Sequence, residues 1–410
     1  MTPFRFDDPD LYVNGTPYDA FAQLRRESPF AWHVASTSHG GGFWLATKHR
    51  DVIQLSKDPE LFATNAPLLA DPLPMDLWPM YPALAMIADN LMTFDHKKHN
   101  VFRPLGNCLF SGTKVRAVEA RIRSSCTKII EKVCKRARFD LASEVALATS
   151  VEVVLGVFLG IPKEDLATVT RCVLVLNAMD DPVFRPTREA VMEAAKELFA
   201  YGLALFGSIE SSPSNGIIDE LIHNSPMKET SAERLFLAYW FPLAAGAFDT
   251  TASAIAGGTQ ALLEYPEQLS LLLANPDLIP LAVDEMYRWV SPVIYFRRTA
   301  TADTSFKGNY IRRGQKIVLC YASANRDEDA FANPNHFDVS RSPNNHVSFG
   351  YGPHYCLGAR LSSAILRIFF EEFLPHIPDM EIEGDVLRTR SAWMNRIRYM
   401  PVRIASTASV

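Results

Sequence analysis

The chain has 410 residues, of which 48% are hydrophobic and 21% are charged, and it carries a formal net charge of −5 at pH 7. Such a chain can bury a large core, and its length alone would allow two or three domains. The charge is spread without long runs of one sign, which gives no reason to expect nucleic acid or an anionic membrane as a partner. A small molecule is the more natural ligand.

The amino terminus shows no targeting signal. It reads MTPFRFDDPDLYVNG, with neither a basic start followed by an apolar run nor a small-residue cleavage site. We therefore expect a cytoplasmic protein without a membrane anchor.

Helical patterns dominate the rest of the chain, and strand-like pieces are short. A strand is predicted within residues 41–47, and residues 62–91, rich in Pro, Leu, Met and Ala, predict a long apolar loop. Loops of that length in compact proteins are usually functional. Helices are predicted from Lys114 and from Thr187, where apolar residues recur three and four apart. A second strand is predicted from Gly314.

Residues 235–263 contain a single charged residue, Asp249. A membrane span needs about 20 apolar residues, but the apolar run ends at Asp249, and polar residues follow it. A helix through the middle of a globular core, roughly 40 Å long at 1.5 Å per residue, explains the pattern better. Because burying an unpaired carboxylate costs several kcal/mol, Asp249 must have a structural or chemical role there.

The six cysteines form no recognisable framework. They are irregularly spaced, and no two are arranged as C-x-x-C, so neither a zinc site nor a set of disulfides is indicated. Five of them are expected to be ordinary thiols. Cys356 differs from the others because of its neighbours.

Cys356 lies in the stretch FGYGPHYCLGARLS, residues 349–362. A thiolate binds iron well, but it needs shelter and hydrogen-bond donors to resist protonation and oxidation. The glycines around it let the backbone turn sharply and approach a flat ligand closely. The apolar spacing downstream predicts a helix that begins at or just after Cys356, whose amino-terminal amides would stabilise the thiolate.

This stretch resembles the cysteine-ligand loop of the cytochrome P-450 family, the haem-thiolate monooxygenases, whose pattern is F-G-x-G-x-H-x-C-x-G. The six fixed positions are matched by Phe349, Gly350, Gly352, His354, Cys356 and Gly358. An accidental match is on the order of 10⁻⁸ per starting position. The resemblance implies that Cys356 is the axial ligand of haem b iron and promotes O–O cleavage. It also implies that Phe349, Gly350, His354 and Gly358 contact the cofactor.

Other segments match the family in the right order. In EMYRWVSP, Glu285 and Arg288 match the E-x-x-R pair, and Arg341 in FANPNHFDVSR takes the position of the third partner. Pairs of Glu and Arg three residues apart are common on helix surfaces, so this pair alone is weak evidence. The position of this pair before the cysteine loop in the chain makes the evidence stronger. The implied role is structural, holding the haem-side scaffold rigid.

Haem propionates call for Arg and His donors. In DHKKHNVFRP, His99 and Arg103 match the family's H-x-x-x-R, while Arg298 in YFRRTATADT and His354 take the positions of further contacts. A solvated basic helix end is the alternative interpretation of His99 and Arg103. Pro104 departs from a regular helix, and a kink there could re-aim these donors.

Asp249 and Thr250 match the family's acid–alcohol pair, which crosses the oxygen side of the haem and relays protons. The usual pattern is A/G-G-x-D/E-T, but Ala247 stands where the second glycine is usual. The cleft there would be tighter by one methyl group. Pro242 and the aromatic residues 239–241 predict a helix bent above the pocket, with some of those rings lining it.

The resemblance implies a single domain over residues 1–410 with the cytochrome P-450 fold, mainly α with a smaller β-rich region. The implied function is insertion of one oxygen atom of O2 into a hydrophobic small molecule. Electrons would come from a ferredoxin-type donor with an NAD(P)H reductase. Lys97, Lys98 and Lys114 could help this donor to dock, or they could be a solvated charge cluster.

Three segments occupy positions that shape the substrate pocket in this family: residues 62–91, SPVIYF before Arg298, and LNAMDDPVFRPTREA. Their apolar composition favours a terpenoid, steroid, fatty-acyl or aromatic substrate, either free or tethered to a carrier protein. Asp180 and Asp181 could contact a polar group of the substrate or could be surface turn residues.

Several functions remain open at this stage. Desaturation and oxidative coupling share the same iron chemistry, and a peroxide-driven oxygenase and a non-catalytic haem-thiolate sensor are further alternatives. The Asp249–Thr250 pair favours oxygen activation, because a sensor would not need a proton relay.

Overall fold

The computed structural model describes residues 4–35, 41–64, 89–178, 181–184, 187–212, 216–223 and 230–405. The predicted loop over residues 62–91 therefore lies largely outside the described residues. The helices, in chain order, are α1 (Tyr18–Glu27), α2 (His49–Ser56), α3 (His96–Leu109), α4 (Gly112–Cys134), α5 (Leu141–Phe158), α6 (Leu166–Asn177), α7 (Arg188–Ser211), α8 (Ile217–His223), α9 (Ala232–Glu264), α10 (Pro266–Ala274), α11 (Ile279–Val290), α12 (Tyr321–Ala324) and α13 (Ala359–Phe373).

The strands are short and form small sheets. They are β1 (Phe30–His33), β2 (Phe43–Ala46), β3 (Phe62–Ala63), β4 (Arg138–Asp140), β5 (Tyr295–Ala300), β6 (Thr304–Phe306), β7 (Asn309–Ile311), β8 (Lys316–Cys320), β9 (Met380–Ile382), β10 (Leu387–Arg388), β11 (Ile397–Tyr399) and β12 (Pro401–Ile404). The largest sheet has the order β1-β2-β8-β5-β3, in which only the β2–β8 pair is parallel. The predicted fold class, mainly α with a smaller β-rich region, is confirmed.

The predicted helices and strands begin close to where the sequence placed them. Helix α4 starts two residues before Lys114. Helix α7 starts directly after Thr187, whose hydroxyl accepts a hydrogen bond from the Ala190 amide and caps the helix. The two predicted strands are β2 and β8.

Helix α9 runs through the middle of the helical core. It is capped by Ser231, whose hydroxyl accepts from the Arg234 amide, and it ends before Pro266, which disfavours the helical conformation in the residue preceding it. Its 33 residues give it a length of about 50 Å, longer than the predicted 40 Å. Pro242 lies inside the helix without ending it.

Helix α5 contains π-type turns over Leu141–Leu147 and Val151–Phe158. Among the described residues it is the one helix long and apolar enough to cross a bilayer, but 61% of it is buried within the protein. It packs against α4 and α9, as expected for a core helix.

The Glu285 carboxylate lies at the centre of a buried network between α11 and the loop before the cysteine stretch. It accepts two hydrogen bonds of 2.7 Å from Arg288 and one of 3.0 Å from Arg341. The Asp338 amide and the Asn344 side chain add two more, at 2.9 and 3.1 Å. Neither Glu285 nor Arg288 exposes any side-chain surface. The predicted three-residue ion-pair network is therefore present.

Candidate haem site

The loop around Cys356 is closed by its own backbone. The Cys356 amide donates to the Phe349 carbonyl at 2.8 Å, and the glycines at 350 and 352 adopt φ values of +72° and +75°, in the left-handed region that favours glycine. At Gly352 a side chain is also excluded by space, because a Cβ atom would lie 2.4 Å from the Ser56 carbonyl oxygen of α2. The loop leads into α13 at Ala359, close to the predicted start.

The Cys356 sulfur faces a cavity rather than bulk solvent, so the residue is accessible although protein surrounds it. Burial raises the pKa of its thiol above the ordinary value. Hydrogen bonds from the Gly358 and Ala359 amides and the charge of Arg103 act in the opposite direction. A metal cation would complete the stabilisation of the thiolate that these amides begin.

The cavity has a volume of about 350 Å³ and lies between α9 and α13. Eight of the ten predicted site residues line it: Arg103, Thr250, Arg298, Phe349, Gly350, His354, Cys356 and Gly358. The other two, His99 and Asp249, are buried beside it.

One end of the cavity is lined by basic side chains, and some of their nitrogens lack hydrogen-bond partners among the described residues. The rings of His99 and His354 lie 3.9 Å apart between centroids, and His354 Nε2 is 3.2 Å from the Thr64 hydroxyl. Neither ring nitrogen of His99 has a hydrogen-bond partner in the described part of the chain. Burial, followed by the charge of Arg103, lowers the pKa of His99 to about 4. Burial, followed by the electrostatic influence of His99, Arg298 and Arg103, lowers the pKa of His354 to about 2.

Arg103 and Arg298 also reach this end. Helix α3 continues through Pro104, and Arg103 still lines the cavity. Two of its N–H groups are already used, at 2.7 Å to the Tyr355 carbonyl and 2.9 Å to the Asn107 side chain. Arg298 donates to the Arg297 carbonyl at 3.0 Å. A group bearing two carboxylates would accept hydrogen bonds from the unpaired ring nitrogens of His99 and would neutralise the positive charge of the two arginines. These residues therefore fit the propionates of haem.

Thr250 and Asp249 point to different sides of α9. The Thr250 hydroxyl lies in the cavity wall and donates to the Gly246 carbonyl at 3.2 Å. Asp249 is 1% exposed, accepts from the Asn177 amide at 3.2 Å, and lies 3.3 Å from the Arg396 guanidinium. The sequence indicated that Asp249 needed a partner, but no local signal identified Asn177 or Arg396.

A chain of three hydroxyls in the cavity wall was also not predicted. Thr251 and Ser362 lie 2.9 Å apart between their oxygens, and Ser362 lies 2.5 Å from the Tyr287 hydroxyl. Thr251 donates to the Ala247 carbonyl at 2.9 Å, so Ser362 donates to Thr251 and accepts from Tyr287. This chain joins α9, α11 and α13 around the cavity.

The remaining wall is mainly apolar. Its residues include Phe110, Val154, Leu176, Val191, Phe241, Leu243, Val293, Phe296, Trp393 and Met394. The SPVIYF segment therefore contributes to the cavity as predicted. Ala247 also lines it.

Of the aromatic residues 239–241, only Phe241 is part of the described cavity lining. Tyr239 donates to the Phe102 carbonyl and Trp240 to the Leu198 carbonyl, at 2.5 and 3.0 Å. These two rings therefore join helices in the core.

Asp181 is not a surface turn residue, and that interpretation is wrong. It is 2% exposed and accepts hydrogen bonds from the Val183 and Arg390 amides at 2.9 and 3.0 Å. It is not part of the described cavity lining, so direct contact with a substrate is not supported. Asp180 lies outside the described residues.

Two of the three lysines predicted to help a donor dock are paired within the protein. Lys98 pairs with Asp89, and Lys114 pairs with Glu220 at 2.7 Å. Lys97 is the exposed member of that cluster without a described ion pair, and a role for these lysines in docking stays a prediction.

Comparison with known proteins identifies the family. The Cytochrome P450 family profile matches residues 272–377. Cytochrome P450-terp from a Pseudomonas species is 33% identical over 401 residues, covering 94% of this chain and 93% of the relative. The chain belongs to the cytochrome P450 family. Steroid C26-monooxygenase from Rhodococcus jostii is 31% identical over 408 residues, covering 97% of this P450 and 84% of the relative.

Solved P450 structures agree with this assignment. A Mycobacterium marinum P450, CYP268A2 in complex with pseudoionone, matches with a TM-score of 0.87 at 30% identity, over 98% of this chain and all of that one. P450BioI in complex with an acyl carrier protein bearing hexadec-9Z-enoic acid matches with a TM-score of 0.85 at 25% identity, over 95% and 98% of the two chains. The protein is therefore a haem-thiolate oxidoreductase with P450 monooxygenase chemistry.

Proposed function

We propose that this P450 uses Cys356 as the axial ligand of haem and hydroxylates an apolar, uncharged small molecule. The observation that carries the proposal is the cavity that places the Cys356 sulfur, the Thr250 hydroxyl and an apolar wall around one space. When bound, the haem supplies the reductive activation of dioxygen that its thiolate ligand promotes.

Different residues of the cavity would hold different parts of the haem. Cys356, sheltered by the amides of Gly358 and Ala359, holds the iron. His99, Arg103, Arg298 and His354 would hold the two propionates, which would supply the acceptors that the ring nitrogens of His99 lack. Phe349, Gly350 and Gly358, which line the cavity, would contact the flat face of the haem, because glycine allows close approach.

Asp249 and Thr250 supply protons to the reaction. Hydroxylation consumes two protons and two electrons for each dioxygen, with one oxygen atom entering the substrate and the other leaving as water. Thr250 holds a hydroxyl in the cavity wall, and the buried Asp249 carboxylate one residue earlier can exchange protons with it through water.

The substrate proposal follows from the lining. Away from the cationic end, the described side chains that line the cavity carry no charge, and most are apolar. This suits a terpenoid, steroid, fatty-acyl or aromatic skeleton, and the names of the relatives and structural neighbours include a steroid monooxygenase and a complex with a carrier-bound fatty acid. Both free and carrier-tethered substrates are compatible with such a wall.

The remaining proposals concern the electron donor, the cellular location and the domain organisation of the enzyme. We propose a ferredoxin-type electron donor with an NAD(P)H reductase and a cytoplasmic location. We also propose a single domain over residues 1–410, since one apolar cluster draws on helices from α3 to α13.

The first test is a titration of the ferric holoenzyme with a panel of uncharged apolar compounds and matched carboxylic acids, followed by the Soret band. A saturable shift with uncharged members, followed by a product heavier by one oxygen atom, is expected. Products lacking two hydrogen atoms or joined as dimers would indicate desaturation or coupling instead. Binding without any product, with electrons supplied, would indicate a sensor and contradict the proposal.

A further inference from the structure

Asn177 is a buried amide in the wall of the haem cavity. It is the last residue of α6, is 6% exposed, and lines the cavity together with its neighbour Leu176. Its Nδ2 atom donates to the Ala245 carbonyl at 3.0 Å and to Asp249 Oδ2 at 3.2 Å, both on α9. Both N–H groups of the amide are therefore used within the protein.

These two hydrogen bonds determine which way the amide is turned. An asparagine side chain carries its donors on nitrogen and its acceptor on oxygen. In the reverse orientation, Oδ1 would face the Ala245 carbonyl, which can only accept a hydrogen bond, and the Asp249 carboxylate. The nitrogen therefore points to α9, and Oδ1 is the polar atom of this side chain that is left for another partner.

The Oδ1 atom of Asn177 has no hydrogen-bond donor in the part of the chain that the structure describes. It is also not one of the polar atoms sealed in the core without a partner. Since the cavity is the open space against which this nearly buried side chain lies, a ligand in the cavity can reach the oxygen.

The protein next to this acceptor is apolar. Leu176 precedes Asn177 in α6, Ala245 supplies the carbonyl that the amide binds, and both residues line the same cavity. An entirely apolar ligand that displaced water from Oδ1 would leave a buried acceptor unpaired, which weakens binding roughly five- to a hundredfold. A ligand with a hydroxyl group at this point of the wall avoids that loss.

We propose that Asn177 Oδ1 accepts a hydrogen bond from a hydroxyl group of the substrate, so that the substrate is an alcohol with an otherwise apolar skeleton. The inference rests on the proposed function and narrows its substrate class. The two hydrogen bonds to α9 hold the oxygen in one position, so the protein loses little conformational freedom when the hydroxyl binds. Asn177 is then a specificity-determining residue.

The test titrates the ferric holoenzyme with terpenoid, steroid and fatty-chain alcohols, each beside its methyl ether and its deoxy analogue, and follows the Soret band. Asn177→Leu and Asn177→Ala remove the acceptor, and Leu176→Ala, which trims the apolar wall one residue earlier, is the control. Haem content checks that each variant is folded. The quantity measured is the Kd of the ether divided by the Kd of the alcohol.

For the alcohol that binds best, this ratio should fall about tenfold from the parent to either Asn177 variant, which corresponds to about 1.4 kcal/mol. The ratio with the deoxy analogue, which is smaller than the alcohol, should fall in the same way, so size does not explain the change. Because both ligands bind the same variant, the lost contact with Asp249 cancels in the ratio. In Leu176→Ala the ratio should stay within about twofold of the parent.

Two outcomes would overturn the inference and leave the proposed function standing. Saturable Soret shifts and oxygenated products with a ratio that is the same in the parent and both Asn177 variants would show that Oδ1 binds no substrate hydroxyl. An equal fall of the ratio in Leu176→Ala would assign the effect to a loosened wall. If no compound of any type shifts the band or gives product, the proposed function itself fails, and the inference fails with it.

Discussion

Replacing Glu285 by Gln should strongly destabilise the holoenzyme. The substitution keeps the size of the side chain but removes the charge that five donors share, two of them on Arg288, which is completely buried. Breaking a buried ion pair by removing one partner costs about 3–5 kcal/mol, because the remaining charge is left uncompensated. The amide nitrogen of Gln would also face guanidinium donors. We expect a loss near the upper end of that range.

The assay is urea unfolding of the holoenzyme, followed separately by tryptophan fluorescence and by the Soret band. Glu383→Gln is the control, because that carboxylate also binds an arginine, Arg138, at 2.6 Å but at the surface. The control should leave the free energy of unfolding almost unchanged, since exposed pairs contribute little. A Glu285→Gln variant whose unfolding free energy falls by less than about 1 kcal/mol would refute the argument from burial.

Further predictions concern the loop, the cationic end and the metal ligand. Gly352→Ala should lower haem content and stability much more than Gly308→Ala. Both residues have φ near +75°, but of the two only position 352 would bring the added Cβ into collision with backbone atoms. Haem titration and thermal melting measure the difference. Because the pKa of His99 is about 4 in the fold and about 6.5 in an unfolded chain, the unfolded state binds its proton more tightly. Acidification from pH 6.5 toward 4 should therefore destabilise the haem-free protein, by roughly 1–3 kcal/mol. His99→Phe should remove part of that pH dependence in urea titrations and leave the part that comes from His354, whose pKa is also lowered; an unchanged slope would exclude His99 as a cause. Cys356→Ser should abolish the spectrum of a thiolate-bound haem, and an unchanged spectrum would require another ligand.

The features predicted from the sequence are those encoded over short distances along the chain. The cysteine loop depends on glycines at fixed positions, two of which need left-handed backbone. The Glu285–Arg288 pair is one helical turn, and the path of α9 follows from a long apolar run with a proline just after its end. In each case the physical cause lies within a few residues of its effect.

The features that the sequence could not predict depend on contacts between distant segments. Asp249 could have been paired with many cations, and only the folded chain brings Arg396 to it. Ser362 contacts Thr251 and Tyr287 because three helices converge there. The spacing of apolar residues along the sequence does not indicate this convergence. Asp181, a polar residue in a turn-rich segment, is buried by the carboxyl-terminal region.

The central claim is that Cys356 and the cavity it faces direct oxygen from O2 into an apolar substrate. It is tested most directly by one turnover experiment with isotopically labelled dioxygen, an electron donor and a compound that shifts the Soret band, run in parallel with Cys356→Ser. We predict one labelled oxygen atom in each product molecule from the parent enzyme and none from the variant. Product without label, or equal labelling by the variant, would contradict the account.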